Sequence, residues 1–197
     1  MKLGFFTAAL PGSTLEQAAQ WGAESGFQAI EIACWPHEKA TRRYAGVSHI
    51  DVNALDQAKA KDIRRMLDGF GLTISSLGYY PNPLHPDPDH RQTVIGHLKK
   101  VIEAAALMEV PIVGTFVGKD KTKTVPANFE EYAKVWPPLV DKTRDWRCFS
   151  SISIASRTLT IRSGTPSATC YCKRLRNALP LARASKTPLL VWAETNS

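Results

Sequence analysis

One carboxylate stands out for its setting. Glu31 interrupts the apolar run Ala29-Ile30-Glu31-Ile32-Ala33-Cys34. A carboxylate at the end of such a run either holds a ligand hydroxyl or forms a structural ion pair, and Arg42 and Arg43 are the nearest basic candidates. Trp35 follows it, and Tyr79 and Tyr80 end a second apolar run. Aromatic rings in these places either stack on the face of a ligand or fill core; Trp35 is the better pocket candidate and Tyr79 the better core residue. Asn82 and His85 lie in the proline-rich stretch Pro81-Asn82-Pro83-Leu84-His85-Pro86. A loop histidine there can touch a ligand, but packing at the surface is its commoner use. Thr115 and Gly118 close a third run, followed by Lys119, Lys121 and Lys123, which read as a solvated loop rather than a phosphate site. Cys170-Tyr171-Cys172 and Cys148 have no CxxC pair or nearby histidine to complete a zinc site, so the four cysteines read as reduced thiols.

These residues require elements that bring strand ends together. Lys2–Ala8 is a short apolar run, and Thr14-Leu15-Glu16-Gln17 has the spacing of a capping box, predicting a helix with Leu15, Ala18, Ala19, Gly22 and Ala23 on one side and Gly26 after its end. Ala29–Cys34 is the second strand. A second helix carries Leu55, Ala58, Ile63, Met66, Leu67 and Phe70 and stops at Gly71; Thr73–Leu77 is the third strand. Asp87-Pro88 is an N-cap with proline at the first helical position, ahead of the stripe Val94, Leu98, Val101, Ile102, Ala105 and Met108. Pro111–Val117 is the fourth strand. Asn128 is expected to cap a fourth helix, which Pro137-Pro138 should break or kink.

Strands alternating with helices at this spacing predict a parallel sheet built from βα units. Four such units fill residues 1–145, about half of an eight-unit barrel, which typically takes ~250 residues. The fold expected is therefore α/β and TIM-barrel-like: four N-terminal βα units of a (β/α)8 barrel, incomplete, followed by an irregular tail. The active face of such a barrel lies at the C-terminal ends of its strands, which is where Glu31, Trp35, Tyr80, Asn82, His85, Thr115 and Gly118 fall.

Charge divides the chain at the same point. Residues 1–145 hold 17 Lys+Arg and 17 Asp+Glu, whereas residues 146–197 hold 8 Lys+Arg and one acid, Glu194, so the whole net charge of +7 resides in the tail. From Trp146 the sequence turns rich in Ser, Thr and Arg, with strands expected at most at Ser151–Ala155 or Leu189–Ala193. This break motivates the hypothesis that residues 146–197 derive from a shifted reading frame, which a continuous frame in an intact locus would disprove. The tail's charge invites nucleic acid, yet no RRM, KH or helix-turn-helix pattern accompanies it. The absence of a signal-like apolar stretch or a long spanning run makes a cytoplasmic, membrane-free protein the expectation.

The stretches Met1–Ala8, Ile30–Pro36, Arg43–Val47, Tyr79–Asp87 and Val113–Gly118 together resemble the sugar phosphate isomerase/epimerase family of xylose-isomerase-like TIM barrels. The resemblance covers residues 1–145. It implies a sugar or sugar-derivative substrate and a divalent metal (Mn²⁺, Mg²⁺ or Zn²⁺) that stabilises enediolate charge while carboxylates move a proton between carbons. The family's metal-binding Glu, Asp, His and Glu come from the fifth to eighth strands, so the catalytic residues have no counterpart in residues 1–145. His85 is a weak metal candidate by analogy with the related apurinic endonuclease barrels. Three readings follow: a metal-dependent isomerase or epimerase, a catalytically empty barrel fragment, and an apurinic endonuclease-like protein. The last needs a histidine near the end of the fourth strand, which Thr115–Asp120 lacks. A half-barrel also exposes the edges of its first and fourth strands, which favours self-association.

Overall fold

The computed structural model describes residues 2–36, 46–141, 149–154 and 157–162. Its first strand, β1 (Gly4–Phe6), passes through a single 3-10 turn (Thr7–Ala9) into α1 (Leu15–Glu24). The capping box forms as its spacing requires: Thr14 Oγ1 accepts the Gln17 N–H at 3.2 Å while Gln17 Oε1 accepts the Thr14 N–H at 2.9 Å. Gly26 and Gly71, at φ 82° and 70°, end the first two helices in the left-handed conformation that glycine adopts without a Cβ clash. Strand β2 is Ala29–Ala33, and α2 (Gln57–Gly69) starts at Asp56, whose carboxylate accepts the Lys59 N–H. Strand β3 (Thr73–Gly78) leads to α3 (Pro88–Leu107), capped by Asp87 with Pro88 at its first position, and β4 (Ile112–Phe116) leads to α4 (Val125–Asp141).

The four strands lie side by side in chain order, each parallel to the next. Parallel neighbours joined by helices are the expected consequence of the alternation, since a parallel connection needs a crossover long enough for a helix. One face of the sheet is covered. Ile30, Ile32, Leu77 and Val113 from the strands meet Leu15, Leu67, Leu98 and Trp136 from the helices in the main core. A smaller cluster of Ala8, Ala33 and Val47, with Phe6 and Trp35 against it, occupies a separate place beside the strand ends.

Three expectations are corrected. The fourth helix begins at Val125 rather than at Asn128, and the Asn128 side chain instead ties the preceding loop, accepting the Asp120 N–H at 2.7 Å and donating to the carbonyls of Asp120, Lys123 and Thr124. Of the break or kink expected at Pro137 and Pro138, the break does not occur, and the helix runs on to Asp141. The carbonyls their missing N–H groups leave unpaired belong to Ala133 and Lys134, both exposed, so water can satisfy them, while buried Trp136 and Leu139 hold the helix to the core. The third is the edge of the fourth strand, expected to be exposed, and the strand expected at Ser151–Ala155 supplies the reason. Strand β5 (Phe149–Ile154) pairs in parallel with β4, and β6 (Arg157–Arg162) pairs antiparallel with β5. The fourth strand's edge is therefore covered, because its unpaired N–H and C=O groups find partners on β5. Strand β1 is at the other end of the sheet order. The strand considered at Leu189–Ala193, Arg42 and Arg43, and Cys148, Cys170 and Cys172 lie outside the described residues.

Candidate binding site

The register of the strands builds the site. Phe6 pairs with Glu31 and Glu31 with Ser76, while Ala33 pairs with Gly78 and Gly78 with Gly114. Residues in register share a face, so Phe6, Glu31, Gly78 and Gly114 stand together on the side of the sheet opposite Ile30, Leu77 and Val113. Glu31, expected at a strand end, is instead the middle residue of β2; it is half-buried there, and the Tyr80 hydroxyl donates to its Oε1 at 2.5 Å.

Two glycines make room for that bond. A Cβ at Gly78 would lie 2.5 Å from Glu31 Oε1 and 2.8 Å from the Phe6 ring, and one at Gly114 would collide with the Tyr80 hydroxyl. Neither glycine has a positive φ, so what these positions require is space, in keeping with the use of strand glycines where another group approaches closely. Around the pair stand Phe6, Trp35 and Phe116, with ring centroids 5.7, 6.0 and 5.0 Å from that of Tyr80. Phe116 is 47% exposed, a large apolar surface at the C-terminal end of β4. Burial raises the Tyr80 pKa, and the hydrogen bond to Glu31 and the carboxylate's charge push it further up, so the phenol keeps its proton and remains a donor at neutral pH.

The remaining candidates take other places. Tyr79 turns into the main core, its ring centroid 4.6 Å from that of His97, which bonds the Cys34 carbonyl through Nε2 at 2.8 Å. Asn82 braces two loops: its Oδ1 accepts the N–H groups of Leu84 and Lys119, each at 3.0 Å, and its Nδ2 donates to the Lys119 carbonyl at 2.7 Å. Gly118, at φ 80°, fits against Asn82, since a Cβ there would strike the Asn82 amide oxygen. His85 accepts the Asp87 N–H at Nδ1, 3.2 Å away, and its ring packs on His90 at the start of α3. Strand alternation carries Thr115 to the side of Val113, away from Glu31; it is 3% exposed and its hydroxyl is buried without a partner among the described residues. Thus the structure brings Glu31, Trp35 and Tyr80 together and leaves Asn82, His85, Thr115 and Gly118 apart from them.

A charged cluster fixes the loops nearby. Glu131 on α4 bonds Arg91 Nη1 at 2.8 Å and the ammonium groups of Lys123 and Lys134 at 3.1 Å each, and Arg91 Nε donates to the His85 carbonyl at 2.8 Å. Lys123 also lies 3.8 Å from Asp120, so this lysine of the Lys119–Lys123 loop is committed to carboxylates. Sequence reasoning missed Phe6, Gly78, Gly114 and Phe116. A glycine inside an apolar strand run was the available signal for two of them.

Among the described residues no group of three or more His, Cys, Asp or Glu side chains is placed to hold a metal ion. The donor set that the metal-dependent reading requires does not come from these residues, and no chemical step is assigned through an ion here. No helix among them is long and apolar enough to cross a membrane.

Comparison with known proteins agrees with this architecture. The sequence model of a family described as xylose isomerase-like TIM barrel matches residues 19–146. Among solved structures, a D-tagatose 3-epimerase-like protein is 18% identical with a TM-score of 0.55, covering 86% of this chain and 58% of that one. A xylose isomerase domain protein from Planctomyces limnophilus is 12% identical with a TM-score of 0.55, covering 79% and 55%. The IOLI protein with a binding zinc atom is 16% identical with a TM-score of 0.54, covering 77% and 51%. At these identities the likeness concerns the fold. The chain spans little more than half the length of each of these structures. No curated protein matches it.

Proposed function

The chain belongs to the xylose isomerase-like TIM-barrel family, and from that premise we propose that it carries the substrate-binding wall of a sugar isomerase or epimerase. The observation that carries this reading is the Glu31 carboxylate, which rises from the middle of β2 and is held by Tyr80 among Phe6, Trp35 and Phe116, rings at or just past the C-terminal ends of their strands. A carboxylate accepts hydrogen bonds from sugar hydroxyls, and aromatic faces cover the C–H side of a sugar ring. Together they suit a neutral polyhydroxylated ligand.

Within this reading Glu31 binds and orients the sugar, and the aromatic rings exclude water from one side of it. The divalent ion that the family resemblance implies, Mn²⁺, Mg²⁺ or Zn²⁺, would be held by groups outside the described residues. Two structural neighbours, a D-tagatose 3-epimerase-like protein and a xylose isomerase domain protein, support the sugar class over the apurinic endonuclease alternative. Self-association through β1, the end strand of the sheet, remains part of the proposal, because a parallel strand added there would continue the barrel.

The test is binding and turnover of a panel of aldoses and ketoses by the purified 197-residue chain, with and without Mn²⁺. Glu31→Gln is expected to weaken sugar binding about 10- to 100-fold, the loss that accompanies removal of a charge-assisted hydrogen bond of ~1.5–3 kcal/mol. Binding without turnover identifies the catalytically empty fragment. Equal binding by the wild type and Glu31→Gln overturns the role given to Glu31.

A further inference from the structure

We infer that Tyr80 is a positioning residue: admitted by Gly114, its hydroxyl locks the Glu31 carboxylate through Oε1 so that the pair acts as an acceptor for a ligand hydroxyl. The inference deepens the carbohydrate-binding reading and rests on it for the nature of the ligand, though not for the Tyr80–Glu31 bond itself.

Three observations converge. The phenol donates to Oε1 at 2.5 Å, a short charge-assisted bond, and no other described group is bonded to that carboxylate. The bond exists because the register pair Gly78 and Gly114 lacks Cβ atoms on either side: one would press on Glu31 Oε1, the other on the Tyr80 hydroxyl. The Tyr80 ring is clamped by Phe6, Trp35 and Phe116, so the hydroxyl is aimed by packing and costs little further rotamer freedom on binding. Since the phenol proton is already spent on Oε1, the pair acts as an acceptor. It suits a hydroxyl donor and repels a phosphate or carboxylate.

Removing the hydroxyl while keeping the ring separates this role from core filling. Tyr80→Phe retains the aromatic contacts and frees the carboxylate; Gly114→Ala keeps the hydroxyl but displaces it. The first readout needs no ligand: in protein labelled at tyrosine Cζ, the Tyr80 carbon titrates above the ordinary phenol range in the wild type. In Glu31→Gln and in Gly114→Ala its midpoint is expected to fall by about one pH unit, part of the elevation remaining because burial persists. The second readout is calorimetric titration with D-fructose and D-fructose 6-phosphate. Tyr80→Phe is expected to bind D-fructose about tenfold more weakly than the wild type, with the phosphate ester binding no better than the free sugar. Circular dichroism and thermal melts confirm folding, and Tyr80→Phe keeps the question decidable if Gly114→Ala fails to fold. An unchanged Tyr80 midpoint in Glu31→Gln, or unchanged D-fructose affinity in Tyr80→Phe, overturns the inference. A wild type that binds neither sugar, with the midpoint still falling in Glu31→Gln, overturns the carbohydrate reading and upholds the Tyr80–Glu31 bond.

Discussion

Glu131→Gln should destabilise the chain at neutral pH and leave it almost unaffected near pH 2. In the folded protein the hydrogen bonds from Lys134 and Lys123, and then that from Arg91, lower the Glu131 pKa from the ordinary 4.5 to about 2. At about 1.4 kcal/mol for each tenfold change, this gap sets a ceiling of about 3 kcal/mol on the stabilisation. Glu131 and Arg91 are only 15% and 19% exposed at their side chains, but Lys134 is 69% exposed, so solvent screening reduces the contribution to about 1–2 kcal/mol. A folded-state pKa below the unfolded value means the unfolded chain takes up the proton first as pH falls. The stabilisation is thus complete above about pH 4.5 and disappears as pH drops through about 2. Urea unfolding of the wild type and Glu131→Gln at pH 7, 4 and 2.5 measures it directly: the midpoints should differ most at pH 7 and converge toward the lowest pH. Equal midpoints at pH 7, or a gap of the same size at pH 2.5, would refute the reasoning. A gap that shrinks in high salt at pH 7 would agree with it.

Two further outcomes follow from burial. Leu77→Ala, at a fully buried β3 position between strands and helices, should cost about 2–5 kcal/mol in urea or thermal unfolding, and a loss below 1 kcal/mol would mean that the sheet does not pack on its helices as described. Cys34 is buried and its thiol pushed well above the ordinary range, first by burial and then by the Glu31 charge. Its peptide should remain unmodified by iodoacetamide in the native protein at pH 8 and become modified in urea, as peptide mass spectrometry would show; rapid native labelling would contradict its placement.

How much of this was legible in the residues depends on the range of the interactions involved. Helix caps and stops are local: Thr14 with Gln17, Asp87 with Pro88, and the left-handed Gly26 and Gly71 all work within a few residues, and each stands where the spacing put it. The alternation of apolar strands with amphipathic helices likewise implied a parallel sheet in chain order. The local signals also misled, at Asn128, whose amide serves a loop rather than a helix end, and at Pro137-Pro138, where exposure of the orphaned carbonyls lets the helix continue.

The site belongs to the other category. Residue types marked Glu31, Trp35 and Tyr80 as chemically able, but nothing local distinguishes them from Asn82, His85, Thr115 and Gly118. The separation comes from strand register, which sets Gly78 beside Gly114 and turns Thr115 to the helix side. It also comes from the space those two glycines leave, into which a carboxylate on β2 and a phenol just past β3 fit 2.5 Å apart. Periodicity and capping are written along the chain and so determine the elements from sequence alone. Which polar groups touch is decided by pairings across 49 residues, and only the folded sheet makes them neighbours.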